Sequence, residues 1–186
     1  MDFQIALILG QDGITNGAIY ALLALALVLV FAVTRVIFIP QGEFVAYGAL
    51  TLAMIGNGVL PATVWLLLGA GLAVAALDGT GALRAGQARR LGPILALNVG
   101  YPLLMLAALK SLPLGELGLA VQVLLTLLVV VPLGPMMYRI VFQPIAEATV
   151  LVLLIVSVAS HVAMVGLGLL FFGAAGYRPP PFSAAR

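Results

Sequence analysis

The sequence predicts an all-α protein, a polytopic transmembrane bundle of about six helices. Of its 186 residues 64% are hydrophobic and only 8% charged, with mean hydropathy +1.27. A soluble domain carries about 25% charged residues. Uncharged apolar runs recur along the chain, on the scale of the roughly 20 helical residues that cross a 30 Å hydrocarbon core. One of them, Phe44 to Leu77, is too long for a single crossing, since as one helix it would measure about 50 Å. Gly56-Asn57-Gly58-Val59-Leu60-Pro61 breaks it with a turn sequence whose proline suits the first turn of the next helix.

The elements follow from where charge and helix breakers fall. Gly13 to Thr34 is uncharged and ends at Arg35, a first helix. Phe44 to Ile55 and Ala62 to Leu77 make a second and third, both short, which local thinning or burial within protein accommodates. Asp78 to Arg90, rich in glycine and arginine, reads as a polar loop. Leu91 to Leu109 is a fourth helix, kinked by Gly92-Pro93 and Gly100-Tyr101-Pro102. A turn from Lys110 to Glu116 leads to a fifth helix, Leu117 to Tyr138, irregular around Pro132 and Gly134-Pro135. Arg139 to Glu147 is a second polar loop, and Ala148 to Phe172 a sixth helix. From Gly173 to Arg186 a Pro-rich tail cannot continue it.

Alternating sides place Arg35, Arg84, Arg89, Arg90 and Arg139 together, against Lys110, Arg178 and Arg186. The more basic side is expected to be cytoplasmic, with both termini outside. No basic n-region precedes the first apolar run, so that segment is expected to be retained rather than cleaved. A net charge of +2 with scattered basic residues gives no basis for a nucleic-acid partner. The chain has no cysteine, which excludes thiol catalysis, disulfides and thiolate metal sites. No phosphate-cradling Gly-x-x-x-x-Gly-Lys-Ser/Thr loop occurs, and no histidine or carboxylate cluster suggests a metal. The expectation is a non-enzymatic chain that binds no cofactor itself.

Polar residues inside a bilayer are costly and either bind neighbouring helices or serve function. Gly13 and Gly17 form a Gly-x-x-x-Gly step for close helix packing. Asn16 and Tyr20 lie one turn apart on an adjacent face, readable as interhelical glue or as groups on a substrate path. Gln41-Gly42-Glu43 precedes an apolar run. Glu43 there would complement a helix dipole, pair with Arg35, or meet a cytoplasmic partner. His161, the only histidine, has Ser157 one turn before it and Ser160 beside it. A Ser–His catalytic pair needs an orienting third group, and no nucleophile elbow or such group is present, so a bundle-internal hydrogen bond or a proton relay is the better reading.

Three segments together carry a resemblance. Asn16-Gly17-Ala18-Ile19-Tyr20-Ala21-Leu22-Leu23-Ala24-Leu25 is followed by Ile37-Phe38-Ile39-Pro40-Gln41-Gly42-Glu43-Phe44, then by Met137-Tyr138-Arg139-Ile140. In order and spacing this resembles the permease subunits of bacterial branched-chain amino acid ABC transporters, the high-affinity type fed by a binding protein. The resemblance implies that residues 1–186 are a single transmembrane domain, the N-terminal part of a longer permease, with residues 78–135 as an inserted loop and helical pair. It implies a bacterial inner membrane, a second permease subunit, cytoplasmic ATPase subunits that use the ATP, and a periplasmic substrate-binding protein, with membrane lipid around the bundle. Asn16 and Tyr20 would face the path. Arg35, Gln41, Gly42, Glu43, Tyr138 and Arg139 would lie at the cytoplasmic boundary. Urea or amide permeases look alike, and a non-transporting scaffold or truncated fragment is the alternative from another class.

Overall fold

A computed structural model describes residues 3–173, so the Pro-rich tail beyond Gly173, with Arg178 and Arg186, lies outside the described residues. Every regular element among them is helical: α1 (Phe3–Thr34), α2 (Gln41–Gly56), α3 (Thr63–Arg84), α4 (Leu91–Ser111), α5 (Leu119–Ile145) and α6 (Val150–Phe172). All but α2 are long and apolar enough to cross a membrane, and the chain is a multi-pass helical membrane protein.

Several boundaries differ from the sequence reading. α1 starts at Phe3 rather than Gly13, because Phe3 to Leu9 is itself an apolar helix former and Gly10 does not interrupt it. α3 continues past Leu77 to Arg84, so Asp78 is helical. The glycines there are poor helix formers, but Gly79 is buried against the Leu91 side chain and Asp78 is ion-paired, and these tertiary contacts outweigh propensity. α5 likewise absorbs Arg139 to Ile145, turning part of the expected loop into helix. Two π-helical turns interrupt the bundle, Ala96–Gly100 in α4 and Tyr138–Phe142 in α5.

Consecutive helices alternate in direction. At the Arg139 end the Arg139 side chain reaches Asp78, and Val36 packs with Phe142 and Leu153. At the Lys110 end the α2–α3 turn meets the α4–α5 turn: Gly58, at φ +72°, where a side chain would be strained, abuts Gly115. Gln122, buried near the start of α5, donates from Nε2 to the Leu114 and Leu117 carbonyls of that second turn. The arginines grouped on one side by the sequence, Arg35, Arg84, Arg89, Arg90 and Arg139, all lie toward the Arg139 end.

The core sits where α2, α3 and α5 meet, around Ile55, Val64, Leu67, Val74, Val129 and Leu133. In lipid such packing holds through van der Waals contact and internal hydrogen bonds rather than escape from water. Two buried bonds fix α2. Thr51 Oγ1 donates to the Tyr47 carbonyl at 2.6 Å, so the Thr63 hydroxyl, 2.7 Å from Thr51, is the donor between α3 and α2. Tyr47 donates from its hydroxyl to the Met164 carbonyl of α6 at 2.6 Å, over Gly168, where a Cβ would press on the ring. The inserted pair of the sequence reading packs on α3, and Tyr101 of α4 donates to the Leu128 carbonyl of α5. α1 stands apart, with none of its residues buried.

Candidate functional site

The link from α1 into α2 is irregular. α1 ends at Thr34, whose hydroxyl donates to the Val30 carbonyl and accepts from the Val36 amide. Arg35 then takes φ 57°, the left-handed region that non-glycine residues occupy at a cost of about 1–2 kcal/mol, and the chain reverses. Val36 to Pro40 is not helical and climbs back along α6, where the Ile39 amide donates to Ser157 Oγ at 3.0 Å. The Gln41 side chain donates from Nε2 to the Leu23 carbonyl of α1 at 3.1 Å. The segment turns as it rises, the Ile39 amide also reaching the Ile37 carbonyl and the Gln41 amide the Phe38 carbonyl. The Gln41–Leu23 contact puts the start of α2 above Thr34 by 11 residues, about 16 Å of helix.

Consequently α2 begins inside the bundle rather than at its edge. Glu43 Oε1 lies 3.3 Å from His161 Nδ1, and His161 is the middle residue of α6 (Val150–Phe172). The boundary placement expected for Gln41, Gly42 and Glu43 is therefore revised to mid-bundle depth, because the non-helical segment from Val36 to Pro40 carries them there. Glu43 meets His161, not Arg35, which stays at the Arg139 end. Irregular backbone at membrane depth is tolerated only where protein or a water-filled cavity satisfies it, and here the Ser157 hydroxyl and the first turn of α2 do part of that work.

The site is incompletely satisfied. Both Gln41 Oε1 and His161 Nδ1 are buried without a hydrogen-bond partner. The Glu43–His161 contact is close enough for an ion pair, yet it is out of line for a hydrogen bond. Their side chains are 20% and 39% exposed, so the pair is partly accessible although His161 Nδ1 itself is buried. Ser157 is committed to Ile39, and Ser160 Oγ donates to the Val156 carbonyl at 2.7 Å. Neither serine is hydrogen-bonded to His161.

An apolar groove of about 380 Å³ runs beside this turn between α2, α3, α5 and α6. Phe44, Tyr47, Trp65, Leu66, Met137 and Met164 form its walls. Phe44 and Ser160, the chain neighbours of Glu43 and His161, both line it. The lining is nearly all hydrocarbon, with Tyr47 and Ser160 its polar residues, and Glu43 and His161 lie next to lining residues along the chain rather than on the wall.

The remaining sequence candidates are elsewhere. Asn16 and Tyr20 are exposed on α1, Tyr20 by 72%. No atom lies within 4 Å of a Cβ built at Gly13 or Gly17, so nothing in this chain packs there. Tyr138 and Arg139 lie in the π turn of α5, and Arg139 Nε meets Asp78 at 2.9 Å. Sequence reasoning did not single out Tyr47, Gly71 or Asp78. A Cβ at Gly71 would land on the Asn98 carbonyl oxygen of α4, the closest glycine approach among the described residues. Comparison with protein-family models, with curated proteins and with solved structures returns no match.

Proposed function

We propose that this chain is a membrane-embedded permease subunit that moves branched-chain or similar amino acids across a bacterial inner membrane. The observation that supports this most is the start of α2 at mid-bundle depth, with the Glu43–His161 pair one residue along the chain from Phe44 and Ser160, which line an apolar groove. Ligand pockets of about 300–1,000 Å³ are mostly apolar with a few placed polar groups, and broken helices at the midplane are where transporters hold solute. In this reading the groove takes the aliphatic side chain. Glu43 faces the ammonium group, and His161 with the free Gln41 oxygen orients the solute's polar end. The proposal includes periplasmic termini and a cytoplasmic Arg139 end. It also includes a second permease subunit against the uncovered α1, with Asn16 and Tyr20 at that junction, ATPase subunits that consume ATP, and a periplasmic binding protein that delivers solute.

The test is uptake of labelled leucine by cells in which this gene is deleted and then restored. Wild type should restore uptake. Glu43→Ala should assemble in the membrane yet restore little, and Phe44→Trp should discriminate against the bulkier solutes. Leucine uptake that never depended on the gene would refute the amino acid reading. Lost urea or amide uptake would move the substrate to that class, and no transport defect of either kind would favour a scaffold.

A further inference from the structure

A second cleft, of about 650 Å³, opens between α3, α4 and α5, away from the groove. Its construction is unusual. Both π-helical turns of the bundle contribute to it, Leu97 and Asn98 from α4, Tyr138 and Arg139 from α5. Such turns are rare and concentrate at functional sites. Pro132 and Pro135 on α5 complete the wall; proline has no amide proton to give the preceding turn and so holds a helix open.

The cleft is graded along the bundle axis. Arg139, Tyr138 and Gln143 lie at the end where α3 finishes, and Val74 lies deeper. Tyr101 is deeper still, beyond Asn98, whose carbonyl oxygen is seated over Gly71. From Asp78 back to Gly71 is about 10 Å of helix, so a charged rim leads into an apolar slot pointing toward the membrane centre. Arg139 is anchored rather than mobile. Its Nε contacts both Asp78 oxygens, at 3.1 and 2.9 Å, while half of the side chain remains exposed. That contact occupies the Nε edge and leaves the terminal nitrogens of the guanidinium fork for an anion. Arg84, Arg89 and Arg90 stand just beyond, at the end of α3 and the start of α4, and give this end a positive field.

We propose that this cleft binds an anionic phospholipid, with its phosphate on Arg139 and one acyl chain laid along Val74, Leu97 and Met136. Basic pockets between helices at the membrane boundary suit such headgroups, and the apolar slot supplies what a free phosphate cannot use. The site is independent of the transport reading.

The chain, purified in a zwitterionic detergent, is mixed with phosphatidylglycerol or phosphatidylcholine, and retained lipid is read by native mass spectrometry. Wild type should hold phosphatidylglycerol at least fivefold more strongly, the size of one arginine's contribution near a membrane surface. Arg139→Gln should abolish the preference, and Leu97→Trp, an exposed position on the slot away from the Arg139–Asp78 pair, should lower retention of both lipids. Arg89→Gln, outside the cleft, should keep the preference. Equal retention of the two lipids by wild type would overturn the site, as would an Arg89→Gln loss equal to that of Arg139→Gln. Displacement of the lipid by millimolar glycerol phosphate would reassign the cleft to a soluble anion and overturn the lipid proposal. Should Arg139→Gln not fold, the Leu97→Trp result and the wild-type lipid comparison decide.

Discussion

Gly17 on α1 and Gly71 on α3 look equivalent in the sequence, each one of a pair of glycines in an apolar run. Their surroundings are opposite. Around Gly17 nothing lies within 4 Å of a built Cβ, whereas at Gly71 the Asn98 backbone fills that position. The contrast extends to whole regions, since no residue of α1 is buried while α3 buries Val64, Leu67, Gly71, Val74 and others along one face. A glycine step therefore marks the capacity for close approach, and the fold decides whether a neighbour uses it. Within this chain α3 is a structural centre, and α1 is a helix held by the Gln41 tether and the turn at Arg35.

The largest expected effect tests that contrast directly. Gly71→Leu should destabilise the detergent-solubilised chain by about 3 kcal/mol, in the range for overpacking a filled site, read as a fall in melting temperature or as aggregation. Gly17→Leu should change the isolated chain by less than about 0.5 kcal/mol. It becomes damaging only where another chain packs on α1. Equal effects from the two substitutions in the isolated chain would break the distinction.

Next in size is the α2–α3 contact inside the body. Thr51→Val removes the acceptor of the buried Thr63 hydroxyl and the donor to the Tyr47 carbonyl. The expected loss is about 1–2 kcal/mol, measured by thermal unfolding, with Thr15→Val on exposed α1 as the silent counterpart. A smaller effect sharpens the role of the tether. Gln41→Leu should cost about 1 kcal/mol and release α1 while the body stays folded. Spin labels at Ala24 and Leu151 should then show a broadened distance distribution, and an unchanged one would mean that α1 is held by something other than the Leu23 carbonyl bond. The smallest effect concerns the reversal itself. Arg35→Gly relieves the left-handed conformation and should stabilise the folded chain by up to about 1 kcal/mol, offset in part by the extra freedom of glycine when unfolded.

Much of the body was legible because hydrocarbon imposes simple demands on a chain. The absence of charge from Phe44 to Leu77, together with the Gly56 to Pro61 turn, located the hairpin of α2 and α3 correctly. The polar boundaries were misplaced for a consistent reason. Asp78 and Arg139 each looked like the first residue of a loop, but each satisfies the other, so both helices continue through them. Pairing across sixty residues of sequence leaves no local trace. The candidate site was half visible in the same way: Gln41-Gly42-Glu43 and His161 were each noticed as polar groups in apolar surroundings, yet nothing in spacing joined them.

Composition and the rhythm of apolar runs alone determined that this is a helical membrane protein of about six helices, five of which prove long and apolar enough to cross, since backbone groups in lipid must be bonded within a helix and crossing length is set by the bilayer. Helix partners, the depth at which α2 begins and the glycine that must be a glycine were decided only by the tertiary structure. Those properties depend on which side chains from distant segments meet. The irregular climb from Val36 to Pro40 is held by its own turns and by Ser157 on another helix, which receives the Ile39 amide, and α3 persists through Asp78 because Arg139 arrives from α5.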